Sequence, residues 1–286
     1  MKTMFRLFML VSIISIGIIF YLNAQTPEPV AFEPRDKEIV EGLLKKFGHE
    51  TNITTSELVV KIGTELLGTP YVAHTLEKEP EQLVVNLHEL DCTTFAENCL
   101  AIAITIKSGK PNFNHYLKTL QNLRYRNGII DGYPSRIHYF SDWIWENDQR
   151  NVVKNVSSDI AGIRFNKTIN FMSTHPESYQ QLKNAAFIPP LIKQEKEISK
   201  REMFYLPEEK LPEYENQLKD GDIAGITTNI PGLDILHVVI LIRKNDKIHL
   251  LHASQTAGKV IISEESLVEY LKNSKPGNGI MVARPL

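Results

Sequence analysis

Cysteine is nearly absent, with only Cys92 and Cys99 in a chain of 286 residues. A disulfide scaffold is thereby excluded, and a chain of this length can bury a sizeable core without covalent staples. Basic runs are missing too. None is longer than Lys45-Lys46 or Lys200-Arg201, and 32 Lys+Arg against 34 Asp+Glu leave a net charge of −2. Nothing supplies the positive footprint that nucleic-acid binding needs, so nucleic acid is not an expected partner. There is no internal repeat and no low-complexity tract, and 42% hydrophobic with 23% charged residues is an ordinary globular composition. The spacings that gather zinc ligands, His-Glu-x-x-His and Cys-x-x-Cys, do not occur, so no metal or other cofactor is expected.

One apolar run stands out. Leu7 to Leu22 contains no acid or base and follows Lys2 and Arg6. This is the pattern of a secretory signal peptide, and it falls short of the ~20 apolar residues that a membrane span requires. Residues 1–24 are read as that signal, cleaved after Ala24, which places the mature protein in the periplasm or outside the cell. Leu22 stands where a small residue is usual, so an uncleaved anchor, the one route to a membrane, is the alternative.

A Pro-rich leader, 25–35, precedes what reads as a single domain, 36–286. Helical periodicity runs through Ile39, Leu43, Leu44 and Phe47, and again from Leu58 to Leu67. A third helix starts at Cys92 and stops at Gly109-Lys110-Pro111; a fourth covers roughly Asn114 to Arg124; Ser135 offers an N-cap for a segment reaching Trp145. The polar, charge-rich stretch 157–210 reads as an insertion with some helix. From Gly221 the pattern changes to short β-rich runs: Asp222–Ile226, Leu236–Ile242, Ile248–Ala253, Val260–Ile262 and Ile280–Val282, with one helix capped by Ser263-Glu264-Glu265. Helices first and an antiparallel sheet second predict an α+β fold.

Leu90-Asp91-Cys92-Thr93-Thr94-Phe95 leads directly into the apolar helix. Asp91 is a natural N-cap, which sets Cys92 in the first turn. Backbone N–H groups there lower a thiol's pKa from its reference of ~8.5, and the thiolate is the reactive form. Cys99 lies seven residues further on the same helix, ~10 Å along its axis, beyond the reach of a disulfide, and reads as a buried core residue.

A cysteine nucleophile needs a base. His237 opens the apolar strand His237-Val238-Val239-Ile240-Leu241-Ile242, where a polar side chain requires a partner. If Asn245-Asp246 forms a two-residue turn, Val239 pairs with His252, and His252 becomes the diagonal neighbour of His237 on one face. A three-residue loop would instead bring His249 beside His237. Nucleophile, base and orienter are the constellation of a cysteine amidase, with the Cys92 backbone N–H as oxyanion donor.

At this point the sequence resembles the papain-like NlpC-type cell-wall hydrolases and, within them, the N-acetylmuramoyl-L-alanine amidase-like family of bacterial exported proteins (domain of unknown function 1460). Gly68-Thr69-Pro70-Tyr71, Leu90-Asp91-Cys92-Thr93-Thr94-Phe95, Gly221-Asp222-Ile223, and Gly232-Leu233-Asp234-Ile235-Leu236-His237-Val238 with Leu251-His252-Ala253-Ser254 carry the match. The resemblance implies a papain-like fold, the roles of Cys92, His237 and His252 reached above, and peptidoglycan fragments or muropeptides as partners. It further implies ligand contacts for Tyr71, Asp91 and Thr93. The run Ser135-Arg136-Ile137-His138-Tyr139-Phe140-Ser141-Asp142-Trp143 also matches, which adds Tyr139 and Arg136. The guanidinium of Arg136 suits a ligand carboxylate; an ion pair with Asp142 is its alternative. Two departures are Thr93 where Ser is more usual and Val239 where Gly is.

The expected activity is thus hydrolysis of an amide in peptidoglycan peptides. The MurNAc–L-Ala bond and the D-γ-glutamyl–diaminopimelate bond both remain open, as do a silent muropeptide-binding protein and an acyltransferase that resolves the same acyl-enzyme with an amine.

Overall fold

The computed structural model describes residues 30–160 and 162–286; the expected signal peptide and the start of the leader lie outside them. The elements run β1 (Val30–Ala31), α1 (Pro34–Phe47), α2 (Thr55–Glu65), β2 (Leu83–Val84), α3 (Cys92–Lys107), α4 (Phe113–Arg124), α5 (Phe140–Gln149), β3 (Val153–Asn155), β4 (Ile163–Arg164), α6 (Phe171–Thr174), α7 (Ile188–Lys200), β5 (Phe204–Pro207), α8 (Leu211–Tyr214), β6 (Ile223–Thr228), β7 (Ile235–Lys244), β8 (Lys247–Ser254), β9 (Lys259–Ser266), α9 (Leu267–Asn273) and β10 (Gly277–Pro285). The fold is α+β. Its main sheet is ordered β4-β5-β10-β6-β7-β8-β9, antiparallel throughout, with β3 also on β10. Among the described residues no helix is long and apolar enough to cross a membrane.

Period-two alternation splits the sheet between two cores. Val238, Ile240, Leu251, Ala253 and Met281 join the helices in the larger core. Val239, Leu241, Leu250, Ile280 and Val282 pack with Leu267 and Leu271 of α9 on the other face. Helix α3 is the central strut: from Thr94 to Ala103 every residue is buried, as expected of a helix that is apolar on all sides. Its polar members are matched. Glu97 meets Arg124, the Tyr116 hydroxyl donates to Asn98, and Thr105 donates to the Ala101 carbonyl. Gly225 of β6 lets α5 reach the sheet, because a Cβ there would stand 2.4 Å from Cδ1 of Phe140.

Two helix starts differ from the expected ones. The helix anticipated at Ser135 begins at Phe140. The Ser135 hydroxyl closes a short turn by donating to the Gly132 carbonyl and accepting the Asp131 N–H, and Arg136 then runs extended, bridged to Tyr125. Asp234, not Ser135, meets the start of α5, accepting the Ser141 N–H at 2.8 Å. The last helix begins at Leu267 because β9 continues to Ser266, which forms a capping box with Glu269. Segment 157–210 is tied to the rest: β5 pairs with β10, and Leu182, Leu191 and Ile198 enter the larger core.

Candidate active site

Asp91 caps α3. Its carboxylate accepts the Thr94 N–H at 2.8 Å while the Thr94 hydroxyl accepts the Asp91 N–H at 2.9 Å. Cys92 therefore occupies the first residue of the helix, half-buried and free, and lines a cavity of about 210 Å³. The cavity is shared by α3 (Cys92, Thr93, Glu97), the start of α5 (His138, Tyr139, Trp143), segment 157–210 (Met172, Tyr179) and the entry to β7 (Asp234, His237).

His237 and His252 are brought together by the β7–β8 hairpin. Lys244 pairs with Lys247, so the loop is the two-residue turn, and Asn245 and Asp246 both take positive φ (50° and 63°), as a type I′ turn requires. His237 Nε2 lies 2.6 Å from His252 Nδ1. His249 is held elsewhere, its Nδ1 3.0 Å from the Ser263 carbonyl oxygen. Burial and the neighbouring His252 push His237 down to about 3, and burial pushes His252 down to about 4; both rings are neutral.

The thiol departs from expectation. Burial, followed by the charge of Asp91, pushes Cys92 up to about 11, against the opposing pull of hydrogen bonds to the Val238 backbone, to the Thr93 hydroxyl and to the Thr93 backbone. The helix start does not outweigh desolvation here. A neutral thiol and a neutral imidazole thus line the same cavity, a state that suits a base that removes the proton as sulfur attacks.

The other anticipated residues fall in different places. The Thr93 hydroxyl is 3.9 Å from Sγ. Tyr71 is anchored through its backbone, its N–H donating to the Gly258 carbonyl at 2.9 Å; burial, then the charges of Cys92 and Asp91, push its hydroxyl up to about 12. Tyr139 lines the cavity with its ring, but its hydroxyl donates to Glu195 at 2.7 Å and accepts the Met172 N–H at 2.8 Å. Arg136 does not line the cavity. It is 5% exposed and paired with Glu77 at 2.8 Å and Glu81 at 3.4 Å, so the carboxylate it meets is the protein's own. Asp142 pairs with Arg126 and Arg201 instead. Val239 packs in the core on the far face and leaves the cavity unchanged. Asp234, Glu97, Met172 and Tyr179 were not anticipated. An acid among the apolar residues that lead into β7 was the one available signal, since it needs partners. Among the described residues no cluster of His, Cys, Asp and Glu is arranged to hold a metal ion.

Comparison with known proteins places these features in context. A family model described as AmiA-like, N-acetylmuramoyl-L-alanine amidase-like, matches residues 61–280. A Bacteroides uniformis N-acetylmuramoyl-L-alanine amidase structure is 40% identical with a TM-score of 0.78, covering 81% of this chain and 98% of that one. A Bacteroides fragilis structure assigned provisionally as a xylanase is 41% identical with a TM-score of 0.74, covering 78% and 98%. A Legionella pneumophila protein of domain of unknown function 1460 is 21% identical with a TM-score of 0.68, covering 88% and 96%; at that identity the likeness speaks for fold alone. No curated protein gives a significant match.

Proposed function

Because the chain belongs to the N-acetylmuramoyl-L-alanine amidase-like family, we propose that it is an exported, papain-like cysteine hydrolase that cuts an amide bond in peptidoglycan peptides. The observation that carries this reading is the 2.6 Å contact of His252 with His237, which shares the lining of one cavity with Cys92. His237 uses Nε2 toward His252, which leaves Nδ1 for the thiol. As Sγ attacks the carbonyl carbon, Nδ1 takes the thiol proton, and the oxyanion gathers at the Cys92 N–H of the helix start. Collapse expels the amine, which leaves with the proton from His237. Water then attacks the thioester, gives its proton to His237, and releases a carboxylic acid and the thiol.

The bond is read as MurNAc–L-Ala, after the Bacteroides uniformis relative. A glycosidase reading needs two available carboxyl groups. The cavity's two are committed: Glu97 to Arg124, and Asp234 to the N–H groups of Ser141 and Ile235. The raised thiol pKa favours one second reading, a protein that binds muropeptides without turnover.

Mass spectrometry of defined muropeptides incubated with the mature protein and with Cys92→Ala tests the reading. Cleavage by the native protein alone is expected, with fragment masses naming the bond. Binding without cleavage would establish the silent protein. The intact mass of the secreted chain tests cleavage after Ala24.

A further inference from the structure

The cavity beside Cys92 offers hydrogen-bond acceptors and no cation. Among the described residues no Lys or Arg side chain lines it. Glu97 is met from behind by Arg124 at 2.7 Å, and Arg126 and Arg136 turn to Asp142, Glu146, Glu77 and Glu81. Lys167, whose charge reaches Asp234, is held by the Thr228 carbonyl and stays off the wall. The Tyr139 hydroxyl is closed by Glu195 and Met172, and Trp143 Nε1 is enclosed.

Beside the hydroxyls of Thr93 and Tyr179, two acceptors remain. Asp234, 1% exposed, is a buried carboxyl whose oxygens accept the backbone N–H groups of Ser141 and Ile235, and burial raises its pKa. His138 is fixed by its surroundings. Its Nε2 lies 2.9 Å from the Tyr133 carbonyl oxygen, and its ring packs on Tyr133 with centroids 4.3 Å apart. A carbonyl can only accept, so Nε2 carries the proton. Burial and Arg136 keep the ring neutral, which leaves Nδ1 as a bare lone pair with no hydrogen-bond partner among the described residues.

We propose that this cavity is a subsite for an uncharged N–H donor, a carboxamide, which donates to His138 Nδ1, and that the lack of any Lys or Arg on its wall makes it reject a carboxylate. The inference rests on the reading that the site takes peptidoglycan peptides and names which of them it selects. Where a peptide carries D-isoglutamine, the group next to the backbone is a carboxamide; where it carries D-glutamate, it is an anion with no cation to receive it.

Calorimetric titration of Cys92→Ala separates this from catalysis, because the variant cannot turn ligand over. The ligands are muramyl-L-Ala-D-isoglutamine, the D-glutamate counterpart and its α-methyl ester. The carboxamide is expected to bind on the order of tenfold or more tighter than the carboxylate, with the uncharged ester, which lacks the N–H, in between. Adding His138→Phe should bring carboxamide and ester together. Equal or tighter binding of the carboxylate, an ester equal to the carboxamide, or no binding of any of the three overturns the proposal. A native protein that cleaves nothing while Cys92→Ala keeps the carboxamide preference would sink the hydrolase reading and leave this one standing.

Discussion

His237 Nε2 and His252 Nδ1 stand 2.6 Å apart with the rings crossed at 78°. Both rings are neutral, so one proton serves the contact. If His237 is to take the thiol proton at Nδ1, its Nε2 must already carry one and donate it, and His252 must accept at Nδ1 and hold its own proton at Nε2. In the proposed mechanism His252 thus fixes the tautomer of the base and stabilises the imidazolium that forms.

Replacing His252 with Ala is therefore expected to lower kcat by about 10²–10⁴-fold with little change in KM. Steady-state kinetics on the cleaved muropeptide, with circular dichroism to confirm folding, checks this. A variant within threefold of the native rate would remove His252 from the mechanism.

The thiol prediction concerns pH. Burial and Asp91 disfavour the thiolate, and Cys92 stays protonated until about 11. Alkylation by iodoacetamide should rise about tenfold per pH unit from neutrality upward, since only the thiolate reacts. Cys99 is buried, and labelling should vanish in Cys92→Ala. A rate already flat below pH 7 would mean a resting thiolate–imidazolium pair and refute the neutral one.

Stability should follow the same two histidines. Their folded pKa values, about 3 and about 4, lie below the ordinary 6.5, so protons prefer the unfolded chain. The associated stability is complete above about pH 6.5 and is lost as pH falls toward 3–4. Urea midpoints measured at pH 7 and pH 5 should drop with acid. In the double variant His237→Gln with His252→Gln the drop should be smaller; an equal drop would assign it to other groups.

The hairpin register was legible because Asn245 and Asp246 tolerate positive φ and admit a two-residue turn, and the placement of His252 follows from that. Asp91 likewise announced the helix start that carries Cys92. The fate of Arg136 was not legible, since its partners Glu77 and Glu81 lie in an aperiodic stretch more than fifty residues earlier. Nor was the cap on α5, which comes from Asp234, 93 residues away in sequence. Strands β3, β4 and β5 span two to four residues, too few for alternation to register. The thiol's shift depends on burial, and on the opposing Val238 backbone, that only the folded chain brings to it.

Arg136 yields a stability prediction. Its removal in Arg136→Ala leaves Glu81, with a side chain 2% exposed, without its cation in the interior and held only by Tyr125 and Gln181, at a cost of about 3–5 kcal/mol. Urea unfolding at pH 7 should show the loss, with kcat/KM per folded molecule near the native value. Native stability combined with a tenfold higher KM would return Arg136 to the ligand.

Tyr139 links the cavity that Cys92 lines to segment 157–210. Its hydroxyl joins Glu195 of α7 to the Met172 N–H at the start of α6, and Glu195 also accepts the Ser173 N–H at 3.0 Å. Tyr139→Phe keeps the ring and deletes that junction, leaving a buried N–H without its acceptor at a cost of about 1–3 kcal/mol. Because Met172 and Tyr179 form part of the wall, the loosened segment should weaken ligand positioning rather than proton transfer. KM should rise severalfold while the pH profile of Cys92 alkylation is unchanged. If KM stays constant and only the urea midpoint falls, the junction is structural and the segment does not shape what the cavity accepts.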